Sequence, residues 1–176
     1  NDMLYIDNAQ VTTANVAADN GVIHVIDSVL MPPSEQSIVD VAVADGNFTT
    51  LVSALQEAGL EQTLADLERE FTVFAPTDAA FDKLDQATLD ALLADPEALT
   101  NVLLYHVVAD ATVSSDAAID IANSDNPMVT MANGDMSTLS LQDGALYIDE
   151  SVVSSADVAS DNGVIHVIDT VLMPMQ

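Results

Sequence analysis

The stretch Phe71-Thr-Val-Phe-Ala-Pro-Thr-Asp-Ala-Ala-Phe81 decides the fold, because it joins a buried strand directly to a helix. Aromatic and β-branched residues at 71–75 favour a strand. Pro76 ends this strand, because proline has no N–H to donate to a sheet. Thr77 and Asp78 carry side-chain oxygens that can accept hydrogen bonds from the first free amides of a helix. The stretch therefore predicts a strand followed at once by a capped helix.

Helical patterns precede this stretch. Ser37 and Asp40 form a capping-box pattern at the start of a first helix. Asn47 is the predicted N-cap of a second helix, whose apolar residues recur at helical spacing and which Gly59 ends. Leucines at helical spacing predict a third helix over residues 60–70.

A helix and then a series of strands are predicted after the central stretch. Asp95-Pro96 begins another helix in the preferred order of acid and then proline. Beyond Asp110 the chain becomes rich in strand formers, and Asn133-Gly134 is its strongest hairpin signal. Further turns are predicted at residues 142–144 and 161–163, so the chain should end in a hairpin.

One segment of the sequence occurs twice. Residues 4–32 realign with residues 146–174 at a constant offset of 142, and residues 19–27 are identical to residues 161–169. A single period of this length corresponds to a whole domain rather than to a small solenoid unit. We therefore expect residues 1–33 to be the tail of a preceding domain and residues 34–176 to be a complete domain of a tandem array.

A lone tail of this kind would expose apolar side chains, because a single hairpin is marginally stable in water. An exposed apolar edge also invites pairing with another chain. One alternative is that residues 1–33 are donated to a core formed by residues 34–142 of another chain. Another is that the sequence simply starts one hairpin too early. The residues expected to mediate assembly are Val22, Ile23, Val25, Ile26, Val29 and Leu30.

The charge balance excludes several classes of partner. Twenty-nine acidic residues face only Arg69 and Lys83, which gives a formal net charge of −27. Such a surface repels nucleic acid and anionic lipid. It is tolerable where salt screens it, and diffuse calcium or sodium would do so. We expect a secreted protein in a marine or saline medium, with a salt-accumulating cytoplasm as the alternative.

Catalytic and metal-binding patterns are weak. The sequence has no cysteine and no Gly-x-Ser-x-Gly motif, and its histidines are His24, His106 and His166. His24 and His166 occupy the same position of the repeat, which favours a structural role. Acidic clusters such as Asp78, Asp82 and Asp85 lack the spacing of a calcium loop and predict a solvated face. We expect no catalytic residue, no metal site, no cofactor and no segment inserted in a membrane, since the apolar runs are too short.

Three motifs resemble those of the fasciclin domain family: the central stretch, Asn101-Val-Leu-Leu-Tyr-His-Val-Val108, and the closing residues 162–174. The resemblance implies an α+β fold in which N-terminal helices pack on a β-sheet wedge closed by a C-terminal hairpin. In animal members the Tyr-His box has been implicated in binding cell-surface receptors such as integrins. This implication falls on Tyr105 and His106, although hydrogen bonding in the core is the alternative role of His106.

The sequence and the resemblance together predict a non-catalytic adhesion or matrix module that is secreted, extracellular or on the cell surface. Its expected partners are copies of itself or neighbouring repeats, joined through β-hairpins into a fibre or surface array, or else a cell-surface protein or polysaccharide. The main alternative is a secreted binding domain for a polysaccharide or small ligand. A hydrolase is the third and least favoured class.

Overall fold

The computed structural model describes residues 5–6, 9–27 and 35–174. It divides the chain into two compact units, Asn1–Ser34 and Glu35–Gln176. The strands of the first unit are β1 (Tyr5–Ile6), β2 (Ala9–Ala18) and β3 (Gly21–Ile26). Among the described residues, no helix has the length and apolar character needed to cross a membrane.

The second unit holds seven helices and seven strands within the described residues. The helices are α1 (Ile38–Asp45), α2 (Thr49–Glu57), α3 (Glu61–Leu64), α4 (Asp78–Phe81), α5 (Gln86–Ala94), α6 (Pro96–Leu104) and α7 (Ser115–Ala122). The strands are β4 (Phe71–Pro76), β5 (Val107–Ala109), β6 (Met128–Thr130), β7 (Met136–Gln142), β8 (Ala145–Ile148), β9 (Ser151–Ser160) and β10 (Gly163–Ile168).

These seven strands form one sheet in the order β5-β4-β10-β9-β8-β7-β6. Most neighbours are antiparallel, but β10 lies parallel to β4, with Gly163 opposite Phe71 and Ile168 opposite Pro76. The last strand of the chain therefore inserts beside the central strand that precedes it by about ninety residues. We call β9–β10, residues 151–168, the C-terminal hairpin.

Strand β4 supplies both faces of the sheet, because successive side chains of a strand point to opposite sides. Phe71, Val73 and Ala75 belong to the core under α1, α2 and α6, which also takes Ile165 from β10. Phe74 belongs to the opposite core, which takes Ile168 from β10. All six residues of β4 are buried. The predicted α+β fold class is confirmed.

Two local predictions were right in detail. Ser37 and Asp40 form a capping box at the start of α1, in which each side chain accepts from the backbone N–H of the other. Gly59 follows α2 with a φ of 68°, a left-handed conformation that glycine adopts without strain. The Leu60 N–H then bonds to the Leu55 carbonyl, 2.9 Å away, so that a Schellman motif ends the helix.

The predicted caps of α2 and α4 were wrong. The side chain of Asn47 donates to Asp45 rather than capping α2, and α4 begins after Thr77 without a side-chain cap. Instead, the carboxylate of Asp78 accepts from the Thr50 N–H at 2.8 Å, and from the N–H and hydroxyl of Thr49 at 3.3 and 2.8 Å. The first residue of α4 thus caps α2, a distant contact that no local pattern reveals.

The predicted helix over residues 60–70 exists but is much shorter than expected. Only Glu61–Leu64 are helical, and a turn and loop lead from Ala65 to β4. The chain leaves the helix here because the carbonyls of Leu64 and Asp66 turn to bond the side chain of Asn162, at 2.8 and 3.1 Å.

In the first unit, β2 and β3 form an antiparallel pair that we call the N-terminal hairpin, residues 9–26. Shifting its bounds by the repeat offset of 142 reproduces the bounds of β9 and β10. The paired residues also coincide: Ala18–Gly21 corresponds to Ser160–Gly163, and Val11–Ile26 to Val153–Ile168. The sequence repeat is therefore a structural repeat of the same hairpin.

Candidate functional site

The Tyr-His box lies where α6 ends and β5 begins. Asp95 caps α6 by accepting from the Glu97 and Ala98 amides, and Pro96 occupies its first turn. Tyr105 is the C-cap residue, so its side chain and that of His106 project from the last turn into the domain. Both side chains are buried, with only 2% of each residue exposed.

His106 links the helix to the C-terminal segment. Its Nε2 accepts from the Leu172 N–H at 2.9 Å, which leaves the ring proton on Nδ1 to be donated to the Val102 carbonyl at 2.8 Å. Burial away from water lowers the pKa of His106 to about 4, and the bond to Val102 offsets this only in part. His106 is therefore a neutral side chain with both ring nitrogens satisfied in the core.

Tyr105 holds the turn between β8 and β9. Its hydroxyl donates to Asp149 Oδ2 at 3.0 Å, and that carboxylate also accepts from the Ser137 hydroxyl at 2.9 Å and the Thr138 N–H at 2.9 Å. Burial, together with the neighbouring Asp149 charge, raises the pKa of Tyr105 to about 12. Asp149 adopts a φ of 51°, so these three donors fix a left-handed residue in the turn.

An open groove with a volume of about 360 Å³ lies above this network. Tyr105 and Asp149 contribute to its lining, and Met173, with 43% of its surface exposed, stands at its side. The groove combines apolar side chains with carboxylates, so it offers both contact area and hydrogen-bond acceptors. The remaining lining residues are Glu150, Ser151, Thr170, Val171 and Leu172.

The predicted partner contact through Tyr105 and His106 stays a prediction. In the folded domain both side chains bond to the protein itself, and His106 reaches no solvent-facing position. Any partner that meets this box on the folded surface would touch the groove above Tyr105. The geometry supports the alternative role that the sequence left open for His106, that of a hydrogen-bonded core residue.

The C-terminal hairpin is locked to the rest of the domain at its turn. Asn162 is 1% exposed; its Oδ1 accepts from the Ile38 N–H at 2.8 Å and its amide donates to two carbonyls before β4. The next residue, Gly163, has a φ of 143°, and a Cβ added there would lie 1.8 Å from the Phe71 carbonyl oxygen. Only glycine allows the backbones of β10 and β4 to approach so closely.

His166 forms a second lock, halfway along β10. The Asp157 N–H donates to its Nδ1 at 3.4 Å, so the proton resides on Nε2, which donates to the Val113 carbonyl at 2.7 Å. The ring also stacks on Phe74, with 5.3 Å between ring centroids. His166 is completely buried, which agrees with the structural role predicted from its repeat position.

The N-terminal hairpin carries the same residues in exposed positions. Asn20, Gly21 and His24 correspond to Asn162, Gly163 and His166, and all three are exposed. Of the predicted assembly residues, Val22, Ile23 and Val25 are 60%, 55% and 45% exposed. The side chain of Ile26, together with Val29 and Leu30, lies outside what the structure describes.

The charged groups form no focused site among the described residues. No group of three or more histidine, aspartate or glutamate side chains there is placed to hold a metal ion. The two basic residues are each paired with an acid: Arg69 contacts Asp110 with two nitrogens, and Lys83 contacts Asp169, all at 3.0 Å. These pairs are partly exposed, so each contributes little to stability.

Sequence reasoning missed the groove and the locks at Asn162 and Gly163. The groove residue Asp149 belongs to a turn whose partners are distant in sequence, so no local pattern marks it. The locks did leave a signal, because Asn-Gly recurs unchanged at residues 20–21 and 162–163.

Comparison with known proteins gives the family. The model of the fasciclin domain matches residues 1–32 and 46–174. The chain is 33% identical over 171 residues to the transforming growth factor-beta-induced protein ig-h3 of Sus scrofa, which covers 97% of the chain. The chain spans 24% of the length of that relative.

Other similar proteins are named for the cell surface or for adhesion. The cell surface glycolipoprotein MPB83 of Mycobacterium bovis is 37% identical over 142 residues, which is 76% of this chain and 60% of that protein. The solved FAS1 domain pair from the insect cell adhesion molecule fasciclin I superposes with a TM-score of 0.70 at 24% identity, covering 94% of this chain and 60% of that one. This chain, with the fold and the family match in agreement, belongs to the fasciclin domain family.

Proposed function

We propose that the chain is a non-catalytic, extracellular adhesion or matrix module that is repeated in tandem and forms part of a fibre or surface array. The observation that carries this proposal is the repeated hairpin, with identical strand bounds and pairing at an offset of 142 residues. A protein built from such units presents many copies of one surface, which strengthens weak contacts through multivalency. The relatives named for cell adhesion and for the cell surface support the extracellular setting.

The surface charge supports the same setting. A net charge of −27 keeps modules apart at low salt, and screening in a saline medium lets them approach. With only two basic residues, the chain also offers few sites to proteases that cut after lysine or arginine.

Attachment under flow tests the adhesion proposal. The purified chain is coupled to beads at controlled density, and its attachment to cells of the source organism is measured in high salt. We expect attachment that soluble chain inhibits and that increases steeply with coating density. Beads coated with a Gly163→Ala variant serve as the unfolded control, because a Cβ at this position clashes with β4. Attachment equal on both bead types, or absent on both, would contradict the proposal.

The groove above Tyr105 favours a second candidate, a secreted binding domain for a polysaccharide or small ligand. Pockets that bind small molecules combine apolar walls with a few polar groups, as this one does. Soluble oligosaccharides and small metabolites would be screened by NMR for saturable shifts of groove residues.

Two exposed methionines provide a matched pair of variants for that screen. Met173→Arg places a charge at the groove, whereas Met128→Arg changes a residue of similar exposure that does not line it. We expect Met173→Arg to weaken binding at least about tenfold, or about 1.4 kcal/mol, and Met128→Arg to have no effect. Equal effects of the two variants would exclude the groove as the binding site.

A further inference from the structure

We propose that a pocket between α3, β4 and β5 binds a small uncharged ring compound that carries a carbonyl group, and that the Arg69 guanidinium donates to the carbonyl oxygen. We call it the Arg69 pocket; its walls include Leu64, Phe71 and Val107. It shares no lining residue with the groove above Tyr105. Binding at this pocket is independent of the proposed adhesion, so the failure of one proposal leaves the other standing.

The size of the Arg69 pocket matches a single six-membered ring. Its volume is about 170 Å³. A protein cavity of about 150 Å³ with aliphatic and aromatic walls stays dry and binds benzene. A ring with one short substituent therefore fills the Arg69 pocket, whereas a sugar chain or a folded peptide is too large to enter it.

The walls are apolar and fixed by the fold. Leu64, Phe71 and Val107 are each 3% exposed or less. Opposite them, Ala109 and Ala132 contribute only methyl groups to the lining. The Ala132 N–H donates to the Val107 carbonyl at 2.7 Å, so this wall is held in place while its small side chains leave the space open. A pocket formed in advance in this way lets an apolar ring leave water without rearranging the protein.

Arg69 supplies the polar contact. Its Cζ lies 5.2 Å from the centre of the Phe71 ring, a cation–π contact that helps to hold the guanidinium beside the pocket. Its Nε and Nη2 donate to Asp110 at 3.0 Å. A guanidinium has five N–H donors, and within the part of the chain that the structure describes the two on Nη1 have no protein acceptor. A ligand that fills the pocket therefore gains most if it carries an acceptor oxygen.

The surrounding charge determines which acceptor is favoured. Asp110 already balances the guanidinium, and Glu68 and Glu70 flank Arg69 in the sequence. A carboxylate ligand would meet this negative surround and would also lose its hydration on entering an apolar pocket. A carbonyl oxygen accepts the same hydrogen bonds without either cost. The favoured ligand is therefore uncharged, such as an aromatic ketone, aldehyde or amide.

Titration of the folded chain with acetophenone, followed by NMR in high salt, tests the proposal. We expect saturable shifts of the amides at residues 61–64, 69–73 and 107–109, with a dissociation constant on the order of 1 mM. Toluene keeps the ring but lacks the acceptor, and benzoate keeps both but adds a charge. Each should bind at least about tenfold more weakly than acetophenone.

One pair of variants tests the location. Ala109→Leu places a larger side chain in the Arg69 pocket, and Ala145→Leu makes the same change at a half-buried strand position that does not line it. We expect Ala109→Leu to abolish the shifts and Ala145→Leu to leave the dissociation constant unchanged.

A second pair tests the role of the guanidinium without filling the pocket. Arg69→Met and Lys83→Met each remove one positive charge from a partly exposed ion pair, but only Arg69 lines the pocket. Arg69→Met should weaken acetophenone binding at least about tenfold and leave toluene binding unchanged, since toluene makes no hydrogen bond. Unchanged toluene binding also shows that the variant has kept the pocket intact. Lys83→Met should affect neither compound.

Five results would overturn the proposal. They are an absence of saturable shifts up to the solubility limit of acetophenone, shifts centred on the groove above Tyr105, toluene or benzoate binding as tightly as acetophenone, retention of binding by folded Ala109→Leu, and equal effects of Arg69→Met and Lys83→Met.

Discussion

His106 is a buried base whose protonation opposes folding. The pKa of His106 is lowered to about 4 in the folded protein, from an ordinary value near 6.5. Between these values the unfolded chain binds the proton and the folded one does not, so the free energy of unfolding decreases as the pH falls. The expected loss for this residue is about 3 kcal/mol between pH 6.5 and 4.

Urea denaturation of the wild type and of His106→Gln at constant ionic strength would measure this contribution. A glutamine side chain cannot titrate, so the difference between the two unfolding free energies isolates the histidine from the many carboxylates. The difference should be largest at neutral pH and shrink towards pH 4. Parallel curves for the two proteins over this range would show that His106 keeps an ordinary pKa.

Removal of the Tyr105 hydroxyl should lower the stability of the domain only modestly. Tyr105→Phe removes one donor from Asp149, which keeps the Ser137 hydroxyl and the Thr138 N–H. We expect a loss of about 1–2 kcal/mol, typical of a hydrogen bond to a charged group. Thermal unfolding measures it, with Tyr147→Phe as the control. A loss above about 3 kcal/mol would mean that Asp149 depends on this one donor.

Titration at high pH gives an independent check of the same hydroxyl. The pKa of Tyr105 is raised to about 12, so the folded domain holds this proton while the unfolded chain releases it above pH 10. Stability from this group is therefore lost as the pH rises from 10 to 12. The tyrosinate absorbance of folded Tyr105→Phe should equal that of the wild type at pH 10.5, since the missing group was not yet ionised.

Asp78 couples two helices that neighbour each other in space but not in sequence. Burial acts to raise the pKa of Asp78, but hydrogen bonds from Thr50 and Thr49 outweigh it and hold the pKa below its ordinary value. Replacing Asp78 by Ala removes the cap of α2, and we expect a loss of about 1–2 kcal/mol in urea denaturation. The loss should vanish at low pH, where Asp78 is protonated.

Asp82→Ala is the matched control, because Asp82 is an exposed acid at the other end of α4. It removes the same charge without touching α2. Equal destabilisation by the two variants would show that net charge, rather than the cap, determines the effect.

Prediction from the sequence succeeded where the interaction is local. Ser37 and Asp40, three residues apart, gave the cap of α1, and Gly59 gave the end of α2. It failed where the partner is distant. Asp78 lies 28 residues from Thr50, and the carbonyls that end α3 bond to Asn162 nearly a hundred residues away.

The candidate site shows the same division between local features, which the sequence reveals, and contacts between distant segments, which it does not. The Tyr-His motif and the repeated hairpin are visible in the sequence. The groove is not, because its lining comes from the C-cap residue of α6, from the β8–β9 turn with the start of β9, and from the segment after β10. The parallel pairing of β4 with β10 is equally invisible, since the two strands lie about ninety residues apart and share no pairing signal. Long-range contacts of this kind are set by tertiary packing alone.

The whole molecule carries a charge that should make its stability depend on salt. With a formal net charge of −27, self-repulsion favours the expanded unfolded chain. The screening length falls from about 10 Å at 0.1 M salt to about 3 Å at 1 M. Over this interval we expect a gain of about 2 kcal/mol, or roughly 4–8 °C in melting temperature.

The ions used distinguish diffuse screening from a calcium site. Because no metal-binding cluster occurs among the described residues, sodium and potassium chloride should stabilise equally, and calcium and magnesium should act alike at equal concentration. Urea is the appropriate denaturant, since guanidinium chloride is itself a salt. A saturable gain at millimolar calcium that magnesium does not give would contradict screening and indicate a specific site. Stability independent of sodium chloride would mean that the acidic surface is already neutralised, and that salt plays no part in bringing the modules together.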